Sequence, residues 1–214
     1  MDYTTASWRI REWFPKLSED VLHDLRLFHV ELLRFNDKIN LISVKTIADA
    51  DLHHFADALM AGILSKPLYK GKRVYDVGSG NGFPGLVMAI LDRETEFMLI
   101  DSDLRKVEFL KYMVSALKLK KVGTAWTRIE ALDKEEIEFG ISRAFAPIPR
   151  ALMLTRKAFK KGAKYIHMKS EEWPIEVASI PPQLCSTWNT QFLHDYTLPM
   201  ADIRLSLLMS EKIR

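Results

Sequence analysis

Three glycines and two aspartates carry the clearest chemistry in this chain. Gly78, Gly80 and Gly82 follow the β-branched run Arg73–Val77 directly, and Asp76 stands two residues ahead of the first glycine. A second apolar run, Phe97–Ile100, ends in Asp101. Glycine has no Cβ, so a loop made of it lets a ligand approach the backbone closely. A carboxylate at the end of the next strand can accept two hydrogen bonds from a ribose diol. The loop and Asp101 together imply a ligand that contains adenosine. Charge then separates two candidates. A dinucleotide loop presents a helix N-terminus to a pyrophosphate. Asp76 repels that group and suits the ammonium of a methionine moiety, which favours S-adenosylmethionine over NAD. Glycine triplets also make plain strand-to-helix turns, and it is the two aspartates that tip the reading.

The elements around these residues set the expected fold. From Ser18 to Phe35 the apolar residues Val21, Leu22, Leu25, Phe28, Leu32 and Phe35 recur at helical spacing, with Ser18 as N-cap and Glu19 and Asp20 in the first turn. A second helix is expected over Ile47–Ser65. From Arg73 onward strands and helices alternate. Expected strands are 73–77, 97–100, 122–126, 139–142 and 164–168. Expected helices are Pro84–Leu91, Leu104–Leu117 and Pro149–Lys160, the last ended by Gly162. Such alternation implies a parallel sheet with right-handed crossovers. The tail breaks the pattern: Leu184–Leu193 and Ile203–Met209 read as two strands without a helical crossover, an antiparallel pair closing the sheet's edge. The fold class is therefore α/β: a Rossmann-like class I S-adenosylmethionine methyltransferase fold with a mostly parallel seven-stranded sheet and an antiparallel edge strand. Residues 1–70 are expected to form an N-terminal helical extension packed on the core, and residues 71–214 the S-adenosylmethionine-dependent methyltransferase domain.

Composition narrows the class further. The 214 residues include 31 Lys and Arg against 28 Asp and Glu, a mild excess that permits an RNA partner without requiring one. Cys185 is the single cysteine, so no intrachain disulfide forms, which suits a reducing cytoplasm. The N-terminal segment lacks the apolar core of a signal peptide, and the run Gly85–Leu91 is too short to span a bilayer. A cytoplasmic monomer with no membrane association is expected. Basic residues cluster at Lys118, Lys120 and Lys121, at Arg156, Lys157, Lys160, Lys161 and Lys164, and at Arg9, Arg11 and Lys16. Such runs serve equally as solvated faces or as phosphate contacts.

Four segments carry a resemblance to a known family. They are Arg34–Leu41, containing Asn36 and Asn40; His53–Leu59, containing His54 and Asp57; the glycine loop continued into Phe83-Pro84-Gly85; and Ser142–Ala146 with Met168-Lys169. In order and spacing they resemble the bacterial 16S ribosomal RNA guanine-N7 methyltransferases, once called glucose-inhibited division protein B. The likeness runs from about Phe35 to Ser170. Departures include His53 for a usual arginine, Ala58 for a usual serine and Ser170 for a usual glycine. The resemblance implies cofactor contacts at Gly78, Phe83, Asp101, Ile129, Glu130 and Arg143, with Asp76, Ser79 and Gly80 in the same loop. Arg143 could hold either a methionine carboxylate or a substrate phosphate. The implied partner is 16S ribosomal RNA or the small ribosomal subunit.

The implied chemistry is economical. Guanine N7 bears an in-plane lone pair and no proton, so no general base is needed to expose it. Catalysis can rest on proximity and orientation. No triad and no metal site is expected, since the six histidines show no ligand spacing. Asn40, His54, Asp57, Arg143 and Lys169 are the residues expected on the substrate side, with a helix-stabilising pair as the plainer role for His54 and Asp57 at i and i+3. Recognition should fall on the Watson–Crick edge of an unpaired or flipped guanine. Three other readings remain: an NAD-dependent oxidoreductase, a non-catalytic RNA-binding module, and a methyltransferase for another RNA base or a small molecule.

Overall fold

The computed structural model describes residues 6–214, so the first five residues of the expected extension lie outside it. A short helix α1 (Ile10–Trp13) leads into the long helix α2 (Glu19–Ile39). Ser18 caps α2 by accepting from the Val21 N–H, and Asn40 closes it in a left-handed conformation at φ 47°. Leu22, Leu25, Phe28 and Leu32 bury one stripe of this helix, as their three- and four-residue spacing requires. The helix runs one turn past Phe35.

The next segment departs from the expected single helix over Ile47–Ser65. Ser43 instead caps a 3-10 turn at Val44–Thr46, and a π-helical stretch at Asp51–Ala56 runs into α3 (Asp57–Ser65). The break has a visible cause. Asp51 is fully buried and is gripped by Arg9, whose backbone N–H, Nε and Nη2 all donate to its carboxylate. Irregular helix of this kind often marks functional positions.

The rest alternates as expected. The elements are β1 (Val74–Val77), α4 (Gly85–Leu91), β2 (Phe97–Asp101), α5 (Leu104–Ala116), β3 (Val122–Trp126), β4 (Ile137–Arg143), α6 (Ile148–Thr155) and β5 (Phe159–Ser170). Two short helices, α7 (Trp173–Ala178) and α8 (Pro182–Cys185), precede β6 (Trp188–Thr197) and β7 (Arg204–Lys212). The seven strands form one sheet in the order β3-β2-β1-β4-β5-β7-β6. β1 to β5 pair in parallel, whereas β7 is antiparallel to both β5 and β6. The tail is thus an antiparallel pair at the edge, with the last strand inserted on the inner side.

Two expected boundaries move. Helix α6 ends at Thr155 rather than Lys160, because Phe159 is drawn into the sheet, where it is fully buried and packs edge-on against Trp188. Gly162, at φ 78°, therefore lies inside β5 rather than after a helix. The strand expected at Leu184 starts only at Trp188, since Pro182 opens α8 at its first turn.

Apolar side chains cover both faces of the sheet. One core joins α2, α3, α4 and α5 to the sheet and includes Phe28, Phe55, Phe83 and Phe109. The other lies under α6 and includes Ile148, Leu152, Phe159 and Trp188. The N-terminal helices share the first core with the sheet, and Phe28 stacks on Phe83 at 4.9 Å. Among the described residues no helix is long and apolar enough to cross a membrane.

Candidate active site

The glycine loop leaves β1 at the carboxyl edge of the sheet, where open parallel sheets bind ligands. Gly78 sits at φ 72°, and a Cβ there would lie 2.6 Å from the Phe145 ring. Gly85, which opens α4, is held even more tightly, with a would-be Cβ 2.4 Å from Leu99 and 2.6 Å from Asp76 Oδ2. The loop is fixed from beneath by Asp76. This carboxylate is fully buried; Oδ2 accepts from the Ser79 hydroxyl at 2.7 Å and from the Gly85 N–H at 2.9 Å, and Oδ1 has no partner. Burial pushes its pKa up to about 6, against the opposing pull of those two hydrogen bonds. Asp76 therefore shapes the loop and offers no exposed oxygen to an ammonium group. Ser79 is likewise buried, with its hydroxyl spent on Asp76.

Above the loop lies a cavity of about 390 Å³ lined by Gly78, Gly80, Ile100, Asp101, Ile129 and Glu130 among others. Four loops that follow β1, β2, β3 and β4 meet there. The Asp101 carboxylate accepts from the Gly80 N–H and from the Asp103 N–H, both at 2.8 Å. Asp101 thereby ties the second strand end to the glycine loop. Ile129 and Ile100 supply apolar wall, and Glu130 is exposed at the rim. An apolar wall, a carboxylate and open glycine backbone form a donor and acceptor set that suits adenosine.

A second cavity, of about 410 Å³, adjoins the first across Ala144, which lines both. Its centre is Arg143. One guanidinium nitrogen donates to the His53 carbonyl at 2.8 Å and to His54 Nδ1 at 3.0 Å, while Nε meets Asp57 Oδ2 at 3.1 Å. Nη1 has no partner. Tyr196 on β6 donates to the other Asp57 oxygen at 2.5 Å. Since arginine only donates, His54 Nδ1 must accept, so Nε2–H donates to the Thr46 hydroxyl at 2.9 Å. Burial, reinforced by the Arg143 charge, lowers the His54 pKa to about 3 and keeps the ring neutral. Burial pushes the Asp57 carboxyl up, opposed by Arg143 and by the Tyr196 hydrogen bond. Lys169 completes the wall; its ammonium donates to the Ala146 carbonyl and pairs with Glu176 at 2.8 Å.

The expected residues thus divide into three groups. Gly78, Gly80, Asp101, Ile129 and Glu130 line the first cavity, and His54, Asp57, Arg143 and Lys169 line the second, which His53 also reaches. Asp76 and Ser79 support the loop from below. Two residues stand apart. Phe83 lies outside both linings, stacked on Phe28 and packed edge-on against Phe55, yet its ring also meets His54 at 5.4 Å and the Arg143 guanidinium at 5.9 Å. Asn40 is spent as the left-handed cap of α2 and lies off the lining of the second cavity. The sequence reading missed Thr46, Tyr196 and Glu176 in the second cavity and Lys106, Phe145 and Arg150 in the first. Tyr196 is 139 residues from the aspartate it binds, and no local pattern reports such a partner.

Known proteins resemble this chain in sequence and in fold. A family model described as rRNA small subunit methyltransferase G matches residues 21–194. The chain is 42% identical to ribosomal RNA small subunit methyltransferase G 3 of Bdellovibrio bacteriovorus, over 96% of this chain and 94% of that protein. It is 35% identical to ribosomal RNA small subunit methyltransferase G of Desulfitobacterium hafniense, over 76% of this chain and 68% of that one. Among solved structures, a mutant of MtNAS in complex with S-adenosylmethionine superposes with a TM-score of 0.61 at 10% identity, covering 99% of this chain and 86% of that one. That last likeness concerns the fold.

Proposed function

The chain belongs to the rRNA small subunit methyltransferase G family, and on that premise we propose that it transfers a methyl group from S-adenosylmethionine to N7 of a guanine in 16S ribosomal RNA. It works as a cytoplasmic monomer on the RNA or on the small ribosomal subunit. The observation that carries this reading is the shared wall at Ala144, which sets a cleft of glycine backbone, carboxylate and apolar wall directly beside a polar cavity built on Arg143.

The cofactor fits the residues present. Gly78, Gly80, Asp101, Ile129 and Glu130 would hold its adenosine, and Arg143, with one unpaired guanidinium nitrogen, its carboxylate. When bound, S-adenosylmethionine supplies an electrophilic methyl group. Asp76 and Ser79 hold the loop in its left-handed turns. Asp57, His54 and the His53 carbonyl fix Arg143 from three sides. His54 is neutral and hydrogen-bonded at both ring nitrogens, so it positions and does not abstract a proton. That suits a nucleophile with no proton to lose.

The test is transfer of tritiated methyl from S-adenosylmethionine to 16S ribosomal RNA and to intact small subunits, followed by mass spectrometry of the nucleosides. The expected product is 7-methylguanosine. Label in another nucleoside, or none in either substrate, would overturn the reading, and calorimetry with S-adenosylhomocysteine against NAD separates the oxidoreductase alternative.

A further inference from the structure

We propose that the RNA strand crosses the mouth of the cofactor cleft, its phosphates on Lys106, Arg128 and Arg150 and one unstacked base against Trp126. This rests on the reading of the protein as an RNA methyltransferase and names the surface that reading leaves open.

The first observation is a mismatch of charge. Lys106 on α5, Arg128 in the loop after β3 and Arg150 on α6 converge on one cavity from three separate elements. None of the three side chains pairs with a carboxylate among the described residues. The acidic groups of that cavity are Asp101, already accepting two backbone N–H groups, and Glu130. S-adenosylmethionine is itself a net cation through its sulfonium, so three cations around its cleft repel it rather than hold it. A polyanion passing over the mouth reverses the sign of that interaction.

The second observation is independent. Trp126 ends β3 directly opposite Asp101 in the sheet register, yet it is 61% exposed. Its indole N–H donates to the Ser102 carbonyl at 3.1 Å. That bond fixes the ring and satisfies its one polar group. What remains is an immobilised aromatic face in water beside a cationic rim, the pairing that single-stranded nucleic acid uses for stacking and backbone contact.

The basic runs visible in the sequence lie away from the cleft, and several of their members are paired. Lys118, Lys120 and Lys121 precede β3, and Arg156 to Lys161 surround the start of β5, so both lie at the amino ends of the strands, away from the cleft. Lys121 is paired with Glu94, Lys160 with Glu138, Arg9 with Asp49 and Asp51, and Arg11 with Glu19.

The test compares Lys106→Gln, Arg128→Gln, Arg150→Gln and Trp126→Ala with the distal control Lys120→Gln. Fluorescence anisotropy with a 16S ribosomal RNA transcript is read across a potassium chloride series, alongside calorimetry with S-adenosylhomocysteine. Each charge variant is expected to reduce the slope of log affinity against log salt by about 1. Trp126→Ala is expected to weaken RNA binding about tenfold with the slope unchanged. Affinity for S-adenosylhomocysteine should change far less than affinity for RNA in every rim variant, and Lys120→Gln should match the wild type. Unchanged slopes at the rim, an equal effect from Lys120→Gln, or a parallel loss of S-adenosylhomocysteine affinity would each overturn the proposal. RNA binding is measured here without turnover. An absence of 7-methylguanosine therefore counts against the proposed reaction, and unchanged slopes count against this surface.

Discussion

On one side of Ala144 the cleft is built by four loops, each taken directly from the end of a strand, at Gly78, Asp101, Ile129 and Ala144. On the other side the cavity joins the π-helical turn at His53 and His54 to Arg143, Lys169 and Tyr196, residues drawn from nearly the whole length of the chain. The first is held by backbone N–H groups donated to Asp76 and Asp101; the second is held by side chains donated to one another. A site of backbone is rigid by virtue of the sheet beneath it. A site of side chains depends on every member, since a buried polar network left half-satisfied is worse than none.

The largest effect that tests this contrast is expected from Asp57→Ala. It leaves Arg143 without its carboxylate and should cost about 3 kcal/mol of stability, the low end for a broken buried pair because the Arg143 side chain keeps 22% exposure. Urea unfolding measures it, and a loss under 1 kcal/mol would mean that the network is not interdependent. Asp101→Ala acts on the other side. It should weaken S-adenosylhomocysteine binding about 100-fold, or about 2.7 kcal/mol, with a smaller loss of stability. If Asp57→Ala weakens that ligand just as much, the two cavities are a single site and the comparison fails. Tyr196→Phe removes one donor to Asp57 and should cost about 1–2 kcal/mol while lowering kcat more than it raises KM for RNA. A wild-type kcat would confine Tyr196 to folding.

The effect that is smallest at neutral pH concerns protonation. Burial lowers the pKa of His54 to about 3 and that of His29 to about 4, below the ordinary imidazole value. As pH falls below about 6.5 the unfolded chain takes up protons that the folded chain refuses, so stability declines toward pH 3 to 4. Above that window the contribution is constant. His54→Gln should flatten the slope by up to about 1.4 kcal/mol per pH unit, as thermal unfolding at several pH values would reveal. An unchanged slope would show that His54 takes up its proton equally in the folded and the unfolded chain.

The same contrast governs what could be read from the chain. Part of the first cavity was legible because it is local: a glycine run after an apolar run, and an aspartate closing the next one; Ile129 and Glu130 were reached through family resemblance. Even there, burial escaped the reading. Asp76 is buried beneath the loop, and Phe83 packs between the aromatic core and the side chains of His54 and Arg143. In the second cavity His54, Asp57, Arg143 and Lys169 were reached through family resemblance, while Tyr196, Thr46 and Glu176 were not reached at all. Their roles arise from pairings across long stretches of sequence, for which spacing gives no signal. Strand direction was legible where helices intervene. The end of α6 was not, because Phe159 joins β5 through contacts with Trp188 rather than through any local breaker.

The insertion of β7 between β5 and β6 has a consequence in time. As the chain is synthesised, β6 emerges with no strand to pair with, and it waits until β7 has followed and slotted in against β5. Only then is Tyr196 delivered to Asp57, and through it to Arg143. The nascent protein can therefore carry a finished first cavity well before its second exists, and Arg143 is clamped last.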